Sequence, residues 1–413
     1  NPSPLSSLIA CYFVDSIPPS DCWPMSTINQ GDTIKEQYHG LSVVEDRSCI
    51  AGWPTDTLSI DHIIKSDDGA HTLILFVPGN PGVVHWYTDI LARIVQQVGK
   101  GYAVRGLSYA GHGVGDVVVG SNEDHLQSFH NEHLSTNYNI NSSIYNEEKK
   151  LKGQRNMIMC WTMEGQIEHK REWIDTILND WKREHNTTPN LIFISHSIGA
   201  HFVQSLLIRR PDLLSKTKHI IHVTPFLRFD PTTLKKLILS TTANSYKRTI
   251  PMMTTLVKAL SYTLPERWVD IYLDKVACLH CPKGRKIALD IFTNEKMVRN
   301  HLVLGFQELR ELCEYPNDIA LRLIGTSTAS SILFCGSDQW APEFHMNDLQ
   351  HMKSRSEIPN NIHIEYIKEI RHDFVVRPQE IDPVVKFCVE RIQKSGEPEI
   401  SKTQSIINLR SRL

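Results

Sequence analysis

The sequence predicts an α/β protein, a mostly parallel sheet with helices on both faces, and three observations lead there. From about residue 41, short β-branched runs alternate with longer segments of helical period, the pattern of successive βαβ units. The pentapeptide Ser195-His196-Ser197-Ile198-Gly199 stands between a strand pattern and a helix pattern. A largely helical block, residues 226–330, then interrupts the alternation before two more strand patterns follow.

Taken in chain order, residues 1–40 are expected to form an N-terminal extension. The run LSSLIACYFV at 5–14 has the length of a signal-peptide core, but the first basic residue is Lys35, so the usual positive segment is missing. Met25 is a candidate start. TLSIDHII at 57–64 and TLILFVP at 72–78 read as strands, Val83–Val98 as a helix and YAVRGLSY at 102–109 as a strand. Residues 116–155 are rich in Asn, Ser, His and Glu and are expected to be a loop. In 166–184, Ile167, Ile174, Ile177, Leu178 and Trp181 share one helical face. LIFIS at 191–195, a helix from Ile198 to about Arg209, and HIIHVTP at 219–225 complete the first part of the core, 41–225. The second part, 331–394, contains strands at 331–336 and 362–367 and a helix from Asp382 to Gln393. The block 226–330 is expected to be a cap or lid, and 395–413 a polar tail.

Composition narrows the function classes. Lys plus Arg total 44 against 46 for Asp plus Glu, a net charge of −2, which argues against a nucleic-acid partner. Nine cysteines spread from Cys11 to Cys388 lack the density of a disulfide scaffold. No run approaches the roughly 18 apolar residues of a spanning helix. Cys278 and Cys281 form one C-x-x-C without a second pair, and His125, His130 and His133 lack ligand spacing, so no metal site is expected. The sequons at Asn141 and Asn186 have meaning only in a secreted chain.

The chemistry is expected to lie around Ser197. A sharp strand-to-helix turn presents its central Ser and requires small residues two positions away on each side; Ser195 and Gly199 meet that need. The simpler alternative is that Ser197 caps the helix. A nucleophilic Ser needs a base and an orienting carboxylate, which follow here in the order Ser, Asp, His. Asp338 comes just after the strand 331–336, and His372 just after 362–367. Asp230, soon after the strand 219–225, is a rival carboxylate. The loop Pro78-Gly79-Asn80-Pro81-Gly82 is placed to supply an oxyanion donor, the N–H of Asn80, paired with that of Ile198.

These residues resemble the lipid droplet-associated hydrolases. The resemblance rests on P-G-N-P-G at 78–82, G-Q-I-E-H-K at 165–170, H-S-I-G-A at 196–200 and the G-S-D…H-D-F pair, and runs from about residue 57 to 393. It implies an α/β-hydrolase fold with a helical cap and a Ser197–Asp338–His372 triad that requires no cofactor. It also implies association with lipid droplets and the endoplasmic reticulum, and action on sterol or other neutral-lipid esters. Two departures stand out: Ser195 replaces the family's usual Gly, and the loop 116–155 is longer than the family pattern. Within the cap, Met252, Met253, Leu256, Val257, Leu260 and Leu264 form an apolar helical stripe between Pro251 and Pro265, and Trp268 continues it. This stripe suits either a phospholipid monolayer or the hydrolase core beneath. A droplet tethering protein with little activity, or a soluble esterase or thioesterase, remain the alternative functions.

Overall fold

The computed structural model describes residues 38, 40–51, 53–63, 71–113, 162–229, 240–241, 243–263, 267, 268, 271, 282–312, 324, 325, 328–336 and 338–396. Nearly all of the expected extension, the loop 116–155, Asp230, Leu264, the Cys278/Cys281 pair, the sequon at Asn141 and nearly all of the tail lie outside the described residues.

Eight strands form one sheet: β1 (Leu41–Ile50), β2 (Trp53–His62), β3 (Thr72–Val77), β4 (Tyr102–Leu107), β5 (Asn190–His196), β6 (Thr217–Val223), β7 (Ala329–Cys335) and β8 (Ile362–Ile367). Their spatial order is β1-β2-β4-β3-β5-β6-β7-β8. β1 and β2 form an antiparallel hairpin from Leu41↔His62 to Ile50↔Trp53, and β2 runs antiparallel to β4. Every pairing from β4 through to β8 is parallel. β1 was not expected from the sequence. It is an edge strand: Leu41, Val43 and Ile50 face inward, while Asp46 and Arg47 break the apolar alternation.

The inner strands are apolar along their length because both faces are covered. Leu73, Leu75 and Val77 of β3 face one layer, with Ile167, Trp173 and Ile174 of α2 (Met163–His185) and Phe202, Val203 and Leu206 of α3 (Gly199–Arg209). Ile74 and Phe76 point to the other, with Ile90, Leu91 and Ile94 of α1 (Thr88–Val98) and Val384, Val385 and Cys388 of α9 (Pro378–Gly396). The expected helix at 83–98 starts with a 3₁₀ turn, Val84–Tyr87, before α1. Two helices were not expected, α4 (Pro211–Lys216) and α8 (Glu343–Ser354).

Between β6 and β7 lie α5 (Tyr246–Thr263), α6 (Pro282–Thr293) and α7 (Glu295–Glu311). α5 and α7 pack on each other. Met253 and Val257 of α5 join Leu302, Val303, Phe306 and Leu309 of α7 in the core cluster that also holds Phe202 and Phe226. Pro251 does not bound the apolar stripe as expected, since it stands inside α5.

Candidate active site

β5 ends at His196 and α3 begins at Gly199, so the chain reverses within two residues. Ser197 stands at φ +52°, a left-handed conformation that a non-glycine residue adopts only when its surroundings hold it. Ser197 donates its N–H to Val223 O at 3.2 Å on β6. Space is the second requirement. A Cβ on Gly199 would lie 2.5 Å from Val77 O and 2.6 Å from Pro78 O, and one on Gly79 would lie 2.7 Å from Ser197 Cβ. Ser195 fits despite its extra atoms because its hydroxyl reaches sideways to β6, with Oγ 2.7 Å from His222 Nδ1.

Three expected residues converge here. Ser197 Oγ is 2.9 Å from His372 Nε2, and His372 Nδ1 is 2.7 Å from Asp338 Oδ2. Ser197, Asp338 and His372 follow the C-terminal ends of β5, β7 and β8, where a parallel sheet collects its functional loops. The Asp338 side chain is fully buried. Burial alone raises its pKa. His372 beside it outweighs that, together with the N–H groups of Ala341 (2.9 Å) and Trp340 (2.7 Å) on Oδ1, and holds the carboxyl below its ordinary value. Cys335 donates its thiol hydrogen to Asp338 Oδ2 at 3.2 Å, and burial and that carboxylate keep the thiol protonated. Asp338 is the carboxylate bonded to His372.

The loop 78–82 carries only three N–H groups, since two of its five residues are prolines. Gly82 N–H goes to Gly79 O at 2.6 Å and Gly79 N–H to Tyr87 Oη at 3.3 Å. Asn80 N–H is the remaining donor, beside the elbow whose next N–H after Ser197 belongs to Ile198. The Asn80 side chain is anchored separately: Nδ2 donates to Glu308 Oε1 at 3.1 Å and to His301 O at 3.4 Å, both on α7. Burial pushes the Glu308 carboxyl up to about 8, so at neutral pH it is largely the protonated acid.

Several contributors were not expected from the sequence. Tyr87 and His196 are buried beside the triad, with Tyr87 Oη 2.7 Å from His196 Nδ1 and His196 Nε2 3.0 Å from the His372 carbonyl oxygen. The G-Q-I-E-H-K run braces the loop 78–82 from behind. Gln166 bridges Ala110, accepting from its N–H at 3.2 Å and donating to its C=O at 3.1 Å. Lys170 donates to Gln166 Oε1 at 2.9 Å and lies 4.1 Å from the Tyr109 ring centroid. Tyr109 donates its hydroxyl to Pro78 O. The signal was present, since polar residues at 166, 169 and 170 interrupt an otherwise apolar helix face.

The seven residues of the stripe, suited either to a lipid surface or to the core beneath, do not stay together. Met253 is only 4% exposed and packs in the core, so it is not a surface contact: helical period turns it toward α7, while its neighbour Met252 points out at 57% exposure. Leu256 is half-buried, and Trp268 is 54% exposed. The side chain of Leu260 lies outside the described residues, as does Leu264.

The sheet order, the elbow and the helices inserted after β6 define an α/β-hydrolase. An assigned lipase from Acinetobacter baumannii AYE superposes with a TM-score of 0.53 at 12% identity, over 90% of this chain and 98% of that one. An epoxide hydrolase from Vigna radiata does so with a TM-score of 0.51 at 11% identity, over 85% and 98%. At such identities the likeness is one of fold. Residues 70–375 match the lipid-droplet associated hydrolase family, and the chain belongs to it. The protein is a hydrolase, as the motif resemblance implied.

Proposed function

We propose that the protein is a serine esterase acting on neutral-lipid esters, sterol esters or acylglycerols, at the surface of lipid droplets and the cytosolic face of the endoplasmic reticulum. The observation that carries this reading is the hydrogen-bonded file Ser197–His372–Asp338, with its two contacts of 2.9 and 2.7 Å in one line of transfer. His372 Nε2 takes the hydroxyl proton as Ser197 Oγ attacks the ester carbonyl carbon. Asp338 keeps the second proton on Nδ1 and stabilises the imidazolium. The N–H groups of Asn80 and Ile198 receive the oxyanion. The intermediate collapses, His372 returns its proton to the departing alcohol, and the acyl group stays on Ser197. Water activated by His372 then releases the acid.

Peripheral attachment is part of the same reading. Among the described residues no helix is long and apolar enough to cross a membrane. Met252, Trp268 and Ile271 are exposed apolar side chains of the insertion, and Arg267 lies beside the Trp268 ring, a pairing suited to a headgroup boundary.

The experiment is active-site labelling with a fluorophosphonate, coupled to hydrolysis of a neutral-lipid ester panel. Wild type is expected to label and to hydrolyse, and Ser197→Ala to do neither. A folded wild type that stays unlabelled overturns the mechanism; one that labels but spares every neutral-lipid ester overturns the substrate class.

A further inference from the structure

A second chain of hydrogen bonds runs beside the first, and its direction is fixed by its ends. At one end the His372 carbonyl oxygen, 3.0 Å from His196 Nε2, can only accept. The proton of His196 therefore sits on Nε2, and Nδ1 presents a lone pair. The Tyr87 hydroxyl, 2.7 Å from Nδ1, must then donate to it. The phenol oxygen is left as acceptor, and at 3.3 Å it receives the Gly79 N–H, which can only donate. The polarity runs one way: Gly79 N–H to Tyr87, Tyr87 O–H to His196, His196 N–H to the main chain of His372.

The setting holds this order in place. Tyr87 and His196 are 3% and 5% exposed. The His196 ring packs against His372 and Phe374, each at a centroid distance of 5.0 Å. Phe76 backs the Tyr87 ring at 4.5 Å. Burial, then the neighbouring His372, push His196 down to about 3, so the ring is a neutral spacer at working pH. The groups it faces are Tyr87 from the 3₁₀ turn, His372 from the loop after β8 and Asp338 from the loop after β7. A Cβ on Gly79 would lie 2.8 Å from His196 Nδ1, so the bare glycine lets the loop approach.

We infer that Tyr87 and His196 are positioning residues. Through the His372 carbonyl and the Gly79 N–H, they fix the separation of His372 Nε2 from Ser197 Oγ and the pose of the oxyanion loop. This rests on the reading of Ser197 as nucleophile. Neither side chain takes a proton from substrate. Their effect falls on turnover, because they set the alignment of reacting groups rather than the grip on the ester.

The test uses the full chain with p-nitrophenyl butyrate as substrate and a fluorophosphonate as probe. His196→Phe and His196→Asn leave the His372 carbonyl without its donor, since the Asn amide reaches only the Nδ1 position. Both are expected to lower kcat by about 10- to 100-fold, the scale of a small misplacement of reacting groups, with KM held within about twofold. His196→Gln places an N–H near the Nε2 position and is expected to recover much of that loss. Tyr87→Phe, which keeps the ring and its packing, is expected to show the same split with a smaller fall. Melting temperatures separate lost alignment from lost fold. Wild-type kcat in Tyr87→Phe and His196→Phe overturns the inference, as does a Gln variant no better than Phe, or a loss that appears in KM. The nucleophile reading fails differently: wild type and Ser197→Ala would then label alike. Labelled wild type, silent Ser197→Ala and fully active His196 variants would sink the positioning role alone.

Discussion

Asp338 makes more hydrogen bonds than its contact with His372 requires. Oδ1 takes two backbone N–H groups and Oδ2 takes His372 Nδ1–H and the Cys335 thiol, so every lone pair faces a donor and the carboxylate cannot turn. Asp338→Asn keeps the shape but turns an NH₂ toward one set of donors. If it faces His372, the imidazole must present the wrong tautomer to Ser197. A fall in kcat of about 10⁴ is expected, with little change in fold; near-native turnover would show that His372 is oriented by something else. The nearest unlike case is Ser195. Sequence reasoning judged it by size alone, as a small departure from Gly. Its hydroxyl bond to His222 depends on what β6 places beside it, and nothing local to the pentapeptide encodes that. Ser197, Asp338 and His372 were legible because each follows a strand that could itself be read. Tyr87 and His196 were not, because a hydrogen-bond partner over a hundred positions away leaves no mark on local pattern.

Among the elements, α2 and α7 do the most for the site from outside it. Gln166 of α2 satisfies both the N–H and the C=O of Ala110 and also accepts from Lys170. Gln166→Leu orphans all three in a buried place, and a cost of about 2 kcal/mol or more is expected, read as a lowered urea midpoint with an unchanged slope. A midpoint unchanged from wild type would mean that water replaces the amide. On α7, Glu308 couples stability to pH. Its folded value, about 8, lies above the ordinary 4.5, so between these limits the folded state keeps a proton that the unfolded state has given up. Stability is therefore intact below about 4.5 and declines as pH rises toward 8. Glu308→Gln can still accept from Asn80 without ionising. Its melting temperature should match wild type near pH 4.5 and exceed it increasingly up to about pH 8; parallel profiles would contradict the assignment. The inner strands could be read almost residue by residue, since burial on two faces leaves unbroken apolar runs. β1 was lost because an edge strand shows water its polar side. α8 was lost because its apolar stripe is thin: His345, Met346, Leu349 and Met352 are its buried positions.

For the whole molecule, the sequence suggests a near-neutral chain divided into a core and a helical insertion. In the structure the chain runs from β6 through α5, α6 and α7 to β7, and the single apolar stripe resolves into an inner and an outer side. Met252→Asp with Trp268→Asp is therefore expected to lower co-flotation with phospholipid-coated triolein droplets while leaving p-nitrophenyl butyrate hydrolysis within about twofold, because one buried large side chain contributes about 1.5–3 kcal/mol. Undiminished flotation would move the attachment surface elsewhere. One feature also bears on how substrate reaches Ser197. α7 is tied to the core by Asn80–Glu308, by Asn300 Nδ2 to Gly111 O at 2.8 Å, and by Met163 N–H to Gln307 Oε1 at 3.0 Å. Swinging that helix aside would strip Asn80 of both its side-chain anchors, His301 O and Glu308. On the proposed reading, in which the Asn80 N–H receives the oxyanion, α7 and the loop 78–82 behave as a single interlocked part, and a door placed at that helix would disarm the enzyme each time it opened.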